Sequence, residues 1–173
     1  QDLNSIVGKL NKEGLEELKN IEGIKFIYKD KIVHATLADS AGIINATNTW
    51  SLILNNQNIT GTGQTICVLD TGINQSHPDF AGRIVAEHCY CSVSDYGSGG
   101  CCKDNTAEDT NATDDDTDAP YHGTHVAGIA AGNGSTYKGI APNANIIAIK
   151  VLNSTGGGST ADFAAGVQWC IRN

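Results

Sequence analysis

Two continuous apolar runs constrain the fold more than any other feature of this sequence. The first is TICVLDTG at residues 65–72, and the second is ANIIAIKVL at residues 144–152. Apolar runs of this length are typical of strands that are buried on both faces, as in a parallel sheet. A helical pattern lies between the two runs, and another follows at residues 161–171. Because strands and helices alternate, the sequence predicts an α/β fold with a parallel sheet.

The helical pattern between the two runs begins with a histidine and then carries almost no side-chain bulk. It starts at His122 and Gly123 and ends in AGIAAG at residues 127–132. Small residues allow a helix to pack closely on a sheet, which would fix the imidazole at the start of the helix. A general base needs such fixing and a carboxylate on its Nδ1–H. Asp70, at the end of the first run, is the candidate carboxylate; a structural histidine and a turn-capping aspartate are the alternatives.

Composition and charge argue against some classes of function. The chain has 173 residues, of which 40% are hydrophobic, enough for one sizeable core with a small appendage. Its apolar runs fall well short of the roughly 20 residues that span a bilayer. The net charge is −8, with acidic residues concentrated at residues 104–118, which gives no electrostatic footprint for nucleic acid. We therefore expect neither a membrane span nor a nucleic-acid partner.

Cysteine usage indicates an oxidising compartment. Four of the six cysteines lie in CYCSVSDYGSGGCC at residues 89–102. Disulfides in that stretch are the favoured interpretation and indicate a secreted, extracellular protein, although the spacing does not fix the pairing. The C-x-C and C-C spacings differ from the C-x2-C spacing of zinc sites, so zinc is the weaker alternative. Cys67, inside the first apolar run, is predicted to be a buried free thiol.

The first 38 residues have the pattern of a separate small unit. NKEGLEELKN predicts a helix with Asn11 as its N-cap. IKFIYKDKIVHATL, at residues 24–37, predicts two strands joined at its Lys-Asp-Lys sequence. Residues 39–63 follow with a mixed pattern that predicts a short helix near residues 49–55 and then a turn.

Two motifs carry a resemblance to a known family. VLDTGINQSHPDF at residues 68–80 and HGTHVAGIAAG at residues 122–132 resemble the aspartate and histidine signatures of the subtilisin-like serine proteases, or subtilases. GIAPNANIIAIKVLNSTGGGS resembles the stretch that follows in that family. The resemblance implies a subtilase-type parallel sheet flanked by helices, incomplete here, at residues 64–173. It also implies that Asp70 is the orienting acid and His122 the general base of an Asp/His/Ser triad.

The same resemblance assigns a substrate site. Gly156, Gly157 and Gly158 match the segment that pairs with the substrate backbone, where glycines let a peptide approach as an added strand. The implied partners are polypeptide substrates, and the chemistry requires no cofactor. A Cys- and Asp-rich insertion is expected at residues 87–120 of the catalytic domain.

The N-terminal stretch LNKEGLEELKNIEGIKFIYKD resembles the later part of the inhibitor-type propeptide of the same family. This resemblance implies that residues 1–38 act as an intramolecular chaperone and inhibitor. Residues 39–63 would then hold a linker and the start of the mature enzyme, with processing expected within residues 36–43. An ordinary small α+β packing unit is the alternative interpretation.

Departures from the family pattern limit the expected activity. No Gly-Thr-Ser-type motif supplies the nucleophilic serine, and the oxyanion-hole asparagine is missing as well. Both ends of the sequence look cut, so we expect a fragment of a serine endopeptidase precursor that is inactive as written. A non-catalytic pseudoprotease, or an inhibitory or binding module, is the alternative.

Calcium is the candidate structural ion. Four aspartates before the histidine helix resemble calcium-binding loops of several subtilases: Asp114, Asp115, Asp116 and Asp118. They do not form an EF-hand pattern, and a solvated acidic loop is the alternative interpretation. His125 follows His122 by one helical turn, but the Glu of a zinc-binding HExxH motif is absent, which disfavours zinc there.

Overall fold

The computed structural model describes residues 8–34, 46–95, 97–114, 121–135 and 137–173. In these ranges the helices are α1 (Lys12–Leu18), α2 (Ala46–Thr49), α3 (His122–Ala131) and α4 (Thr160–Arg172). The strands are β1 (Ile32–His34), β2 (Ile53–Leu54), β3 (Gln57–Asn58), β4 (Thr65–Asp70), β5 (Ile84–Tyr90), β6 (Glu108–Asp109), β7 (Asn145–Lys150) and β8 (Gly157–Ser159). None of the helices in the described ranges has the length and apolar composition of a membrane span.

A four-stranded sheet in the order β4-β7-β5-β6 forms the centre of the fold. β7 lies between β4 and β5 and is parallel to both, with Asp70 of β4 opposite Lys150 of β7. β6 adds a short antiparallel edge at the end of β5. β7 is buried from its second residue to its last because it has a neighbour on each side and cover on each face. The predicted α/β fold with a parallel sheet is confirmed.

Helices cover both faces of this sheet because successive strand residues point to opposite sides. Ile146 and Ala148 of β7 belong to a core cluster with Ala127 of α3. Ile147 of the same strand belongs to a second cluster, which packs against Trp169 of α4. The small residues of α3 thus allow that helix to lie close to the sheet, and this brings its first residue near the carboxyl end of β4.

The N-terminal unit is partly as predicted. Asn11 caps α1, since its side-chain oxygen accepts a hydrogen bond from the Gly14 amide at 2.8 Å. The predicted strand pair in residues 24–37 is wrong: β1 instead pairs antiparallel with β8, and residues 24–31 form no strand. A short strand can pair with any unpaired strand edge that lies next to it in the fold. The spacing of residues in the sequence does not show which strands, distant in the chain, become neighbours. The processing point expected within residues 36–43 lies outside the described residues.

The helix predicted near residues 49–55 is also wrong. α2 ends at Thr49, and β2 and β3 follow as a two-stranded hairpin. Asn55 and Asn56 connect the two strands with φ angles of 50° and 64°. A tight hairpin turn of this kind needs positive φ at both central residues, which asparagine adopts more readily than most residues. The Asn-Asn pair therefore outweighs the short amphipathic pattern.

The described chain has three disulfides and no free cysteine: Cys67–Cys170, Cys89–Cys102 and Cys91–Cys101. The last two confirm the disulfides predicted in the cysteine-rich stretch and rule out the zinc alternative there. The prediction of a free thiol at Cys67 is wrong. Cys67 of β4 and Cys170 of α4 pack in the same cluster between sheet and helix, with their Cα atoms 6.2 Å apart. The hydrophobic periodicity of the sequence predicts that Cys67 lies in a strand and Cys170 in a helix. It does not predict that this strand and this helix pack against each other.

The insertion predicted at residues 87–120 begins later than expected. β5 continues to Tyr90, so residues 87–90 belong to the central sheet. The chain then leaves the sheet and returns as β6, which pairs with Cys89 and Tyr90. The boundary was misplaced because the end of β5 carries charged and cysteine residues instead of an apolar run. Residues 115–120 lie outside the described part of the chain.

Candidate active site

Asp70 and His122 meet at the carboxyl end of the parallel sheet. Asp70 is the last residue of β4, and His122 is the first residue of α3. The distance from His122 Nδ1 to Asp70 Oδ1 is 2.7 Å, and the two side chains are 12% and 10% exposed. Because a carboxylate oxygen only accepts hydrogen bonds, Nδ1 carries a proton, and its N–H donates a hydrogen bond to Asp70 Oδ1. In the tautomer that has its proton on Nδ1, the lone pair is on Nε2.

His122 Nε2 is buried and has no hydrogen-bond partner among the described residues. Buried nitrogens are nearly always paired, and leaving one unpaired costs about 1–3 kcal/mol. An unpaired acceptor on an oriented imidazole is what a general base requires, since a hydroxyl can donate its proton to that nitrogen.

Gly123 makes the approach of α3 to β4 sterically feasible. A Cβ atom on this residue would lie 2.1 Å from the Gly72 carbonyl oxygen and 3.1 Å from Asp70 Cβ. Any side chain would therefore push the start of α3 away from the end of β4. Tyr121, just before His122, adopts φ 62°, which is uncommon for a residue with a side chain and sets the direction in which the helix begins.

Thr71 links the two candidate catalytic residues, a role that the motifs alone did not indicate. Its amide donates to Asp70 Oδ1 at 2.7 Å, the same oxygen that accepts from His122. Its hydroxyl accepts from the Gly123 amide at 2.9 Å and donates to Asp114 Oδ1 at 2.6 Å. Thr71 thus holds the position of Asp70 and of the residue that follows His122.

Lys150 is a second residue that the sequence reasoning missed. It ends β7 opposite Asp70 and is only 2% exposed. Its Nζ donates to the carbonyl oxygens of Thr71 at 2.8 Å and Leu152 at 3.0 Å. It therefore ties the turn after β4 to the chain that leads into the glycine segment. The signal in the sequence is a lysine at the end of an otherwise apolar run, because a buried cation needs partners nearby.

The three predicted substrate-binding glycines fall into two conformations. Gly157 and Gly158 lie in β8, whereas Gly156 precedes the strand in a turn with φ 76°. A Cβ on Gly158 would lie 2.4 Å from the Val151 carbonyl oxygen, so this position has no room for a side chain. β8 pairs antiparallel with β1, opposite residues 32–34. The segment thus behaves as an edge that accepts a further strand.

The described residues contain no group of three or more His, Cys, Asp or Glu side chains arranged to hold a metal ion. Asp114 is buried, and its two oxygens accept hydrogen bonds from Thr71 and Thr124. The other three aspartates of the proposed calcium loop lie outside the described residues. His125 is exposed on α3.

A protein-family model with the description "Subtilase family", peptidase S8, matches residues 61–173, which is more than half of this chain. The chain belongs to the subtilase family. Within the matched range, this subtilase carries both the aspartate and the histidine motif.

Curated relatives extend the match to nearly the whole chain. Serine protease AprX of Bacillus subtilis (strain 168) is 36% identical over 90% of this chain and 31% of its own length. Alkaline serine exoprotease A of Vibrio alginolyticus is 32% identical over 99% of this chain and 30% of its own length. Subtilisin-like protease 3 of Trichophyton equinum is 34% identical over 95% of this chain and 37% of its own length. The subtilase chain described here therefore spans about a third of the length of these relatives.

Two solved structures also resemble this subtilase. A cold-adapted subtilisin-like serine proteinase is 32% identical, with a TM-score of 0.48, over 72% of this chain and 38% of that protein. Sphericase is 31% identical, with a TM-score of 0.49, over 70% of this chain and 36% of that protein.

Proposed function

We propose that this chain is part of a serine endopeptidase precursor, with Asp70 as the orienting acid and His122 as the general base. The observation that carries the proposal is the 2.7 Å contact between His122 Nδ1 and Asp70 Oδ1, with Nε2 left buried and unpaired. A pair held this way can accept a proton from a serine hydroxyl. The nucleophile would lie outside this sequence, since no segment here has its motif.

The chemistry is acyl transfer from a peptide bond. His122 Nε2 removes the serine proton as the oxygen attacks the carbonyl carbon, and the imidazolium then protonates the leaving amine. Asp70 fixes the tautomer and stabilises the imidazolium that forms. A water molecule, deprotonated by the same nitrogen, hydrolyses the acyl-enzyme. The chain as given would bind and orient but would not complete this reaction, and no cofactor is needed for any step.

Polypeptide substrates would pair with the glycine segment as an added antiparallel strand. The pairing of β1 with β8 supports this, because it forms with main-chain atoms alone: Val33 lies opposite Gly158 and His34 opposite Gly157. An edge that pairs through its backbone accepts peptides of varied sequence. Gly156, in the turn before β8, would allow the substrate backbone to approach.

We infer that residues 1–38 are the C-terminal part of a propeptide that inhibits the site by occupying the same edge. Beyond the β1–β8 pairing, Lys31 and Thr160 exchange two hydrogen bonds of 3.0 Å: Lys31 N to Thr160 Oγ1, and Thr160 N to Lys31 O. Asp30 accepts hydrogen bonds at the N-terminus of α4, including one from the Ala161 amide at 3.0 Å. A segment docked in this way blocks substrate. Removal within residues 36–43 would release it from residues 39–63 and the catalytic region at 64–173.

The disulfides support an extracellular location. All six cysteines are paired, and disulfides persist in oxidising compartments. Calcium would be a structural ion only at the aspartates that follow Asp114, since carboxylate oxygens are the ligands that calcium prefers and the oxygens of Asp114 already accept hydrogen bonds from Thr71 and Thr124.

The second candidate function is a non-catalytic inhibitory or binding module. The observation that favours it is that the proposed substrate edge is already paired with a strand of the same chain. Under this hypothesis, β1 is a permanent part of the fold and no nucleophile follows in the gene.

A fluorophosphonate probe, which reacts with activated serines, separates the two candidates. The protein translated from the complete reading frame is labelled before and after removal of residues 1–38, alongside His122→Ala. The endopeptidase proposal predicts that one serine is labelled, more strongly after processing, and that His122→Ala abolishes the labelling. A folded, processed protein that is not labelled would contradict the proposal and favour the binding module.

A further inference from the structure

We propose that Asp114 is a positioning residue that sets the geometry of the Asp70–His122 pair from a distance, an inference that rests on the proposed function. Asp114 is only 6% exposed, yet it lies at the start of the segment that sequence analysis assigned to a solvated or calcium-binding loop. Its carboxylate hydrogen-bonds to Thr71 and Thr124, and not to the imidazole or to the Asp70 carboxylate. It acts through Thr71 and through the first turn of α3.

Three donors converge on the Asp114 carboxylate. The Thr71 hydroxyl donates to Oδ1 at 2.6 Å. The Thr124 amide and the Thr124 hydroxyl donate to Oδ2 at 3.0 Å and 2.7 Å. Thr71 and Thr124 are themselves buried. Thr71 immediately follows Asp70 and Thr124 is two residues beyond His122, so one carboxylate holds the main chain beside both candidate catalytic residues.

Asp114 also supplies a cap that α3 lacks. The N-cap residue, Tyr121, is in the left-handed conformation and makes no side-chain capping bond. The free amides of the first turn are satisfied instead by Thr71, which accepts from Gly123, and by Asp114, which accepts from Thr124. A carboxylate at this end of a helix is favoured by the helix dipole and by the unpaired N–H groups. The start of α3 is therefore anchored to the β4 turn by groups outside the helix.

Thr124 also connects Asp114 to the loop that follows Asp70. The Thr124 hydroxyl accepts a hydrogen bond from the Asn74 amide at 2.8 Å while it donates to Asp114. The main chain of Asp114 also bonds to the loop that follows Asp70, since its amide donates to the Ile73 carbonyl at 3.3 Å. The loop after Asp70, the start of α3 and Asp114 thus form one hydrogen-bonded unit. A shift of one part moves the imidazole relative to its carboxylate.

The matched test compares Asp114→Asn with Asp109→Asn in the protein translated from the complete reading frame. An amide offers one acceptor oxygen where Asp114 must supply two, so the variant loses either the Thr71 or the Thr124 contact. Asp109 lies in the same region of the chain, but its carboxylate accepts from the Thr110 hydroxyl and the Asn111 amide and not from Thr71 or Thr124. The readouts are the low-field proton resonance of His122 Nδ1–H, and kcat and KM for a peptide substrate.

We expect Asp114→Asn to shift or broaden the His122 resonance and to lower kcat by about 10-fold to 100-fold, with KM within about twofold. Asp109→Asn should leave both readouts unchanged. In case Asp114→Asn does not fold, Thr71→Val and Thr71→Ser form a second pair. Valine removes the hydroxyl and should repeat the loss, whereas serine restores the hydroxyl and should rescue the resonance and kcat.

A wild-type resonance and a wild-type kcat in folded Asp114→Asn, or in Thr71→Val, would overturn the proposal. The result can be told apart from failure of the proposed function. If the processed wild-type protein does not hydrolyse peptides, the endopeptidase proposal fails, while the resonance still reports whether Asp114 positions His122.

Discussion

At the scale of single residues, the candidate site depends on a close contact that only glycine permits. The Asp70–His122 hydrogen bond requires α3 to begin directly beside the end of β4. Gly123 lies at that contact, whereas Gly128 lies on the same helix with no atom near its hypothetical Cβ within 4 Å. Only Gly123 is therefore required by a close contact, and substitution by alanine should affect stability differently at the two positions.

We predict that Gly123→Ala destabilises the fold by more than about 2 kcal/mol and abolishes probe labelling, because its Cβ overlaps the Gly72 carbonyl. Gly128→Ala should be neutral or stabilising by up to about 1 kcal/mol, since alanine favours the helix and meets no obstacle. Urea unfolding measures both changes. Equal stability of the two variants would show that α3 does not approach β4 as closely as described.

At the scale of elements, the start of α4 is where Asp30 of the N-terminal segment makes its hydrogen bonds. Ser159 caps α4 through its own side chain, and Asp30 adds a carboxylate from a distant part of the sequence. Burial alone would raise the pKa of Asp30, but hydrogen bonds from Ser159, Thr160 and the Ala161 amide outweigh it and lower the pKa below the ordinary 3.8. Docking therefore favours the ionised carboxylate.

The lowered pKa gives docking a pH dependence of known sign. An undocked Asp30 would keep the ordinary pKa, so its contribution to docking is complete above 3.8 and is lost as the pH falls through the lower docked value. We predict that exchange of the Thr160 amide, which donates to the Lys31 carbonyl at 3.0 Å, is constant near neutral pH and accelerates, after correction for the intrinsic rate, as the pH falls below about 4.

Asp30→Asn should accelerate that exchange already near neutral pH and flatten its pH dependence. Glu22→Gln, which changes an exposed carboxylate of the same segment, is the matched control and should behave like the wild type. An unchanged pH profile in Asp30→Asn would mean that the carboxylate does not contribute to docking.

At the scale of the whole molecule, the Cys67–Cys170 disulfide joins β4 to α4. It closes a loop with a sequence separation of 103, whereas Cys91–Cys101 closes one of 10. In the chain-entropy account, a longer loop costs the unfolded state more freedom. The long-range bridge should therefore stabilise the fold more than the local one.

We predict that Cys67→Ala/Cys170→Ala lowers the free energy of unfolding by about 4.7 kcal/mol and Cys91→Ala/Cys101→Ala by about 2.7 kcal/mol. Urea unfolding of both variants under oxidising conditions tests the difference. A larger loss from the local pair would mean that packing around the bridge, and not loop closure, sets its contribution.

How far the sequence could predict this structure depended on the range of the interaction. The sequence predicts β4, β7 and α3 because buried strands and a closely packed helix require runs of apolar or small residues. The Asp70 and His122 motifs lie within those elements. The β1–β8 pairing and the Cys67–Cys170 bridge were missed because each joins elements that are distant in sequence. Asp114 looked like part of a solvated loop because its partners, Thr71 and Thr124, become its neighbours only after folding.

The most direct test of the central claim is the turnover of Asp70→Asn in the processed protein from the complete reading frame. If Asp70 holds the imidazole tautomer, the variant should fold normally and lose about 10⁴-fold in kcat, since an amide can donate to Nδ1 and present the wrong nitrogen to the nucleophile. A folded Asp70→Asn that keeps kcat within about tenfold of the wild type would contradict the assignment of Asp70 as the orienting acid and His122 as the general base.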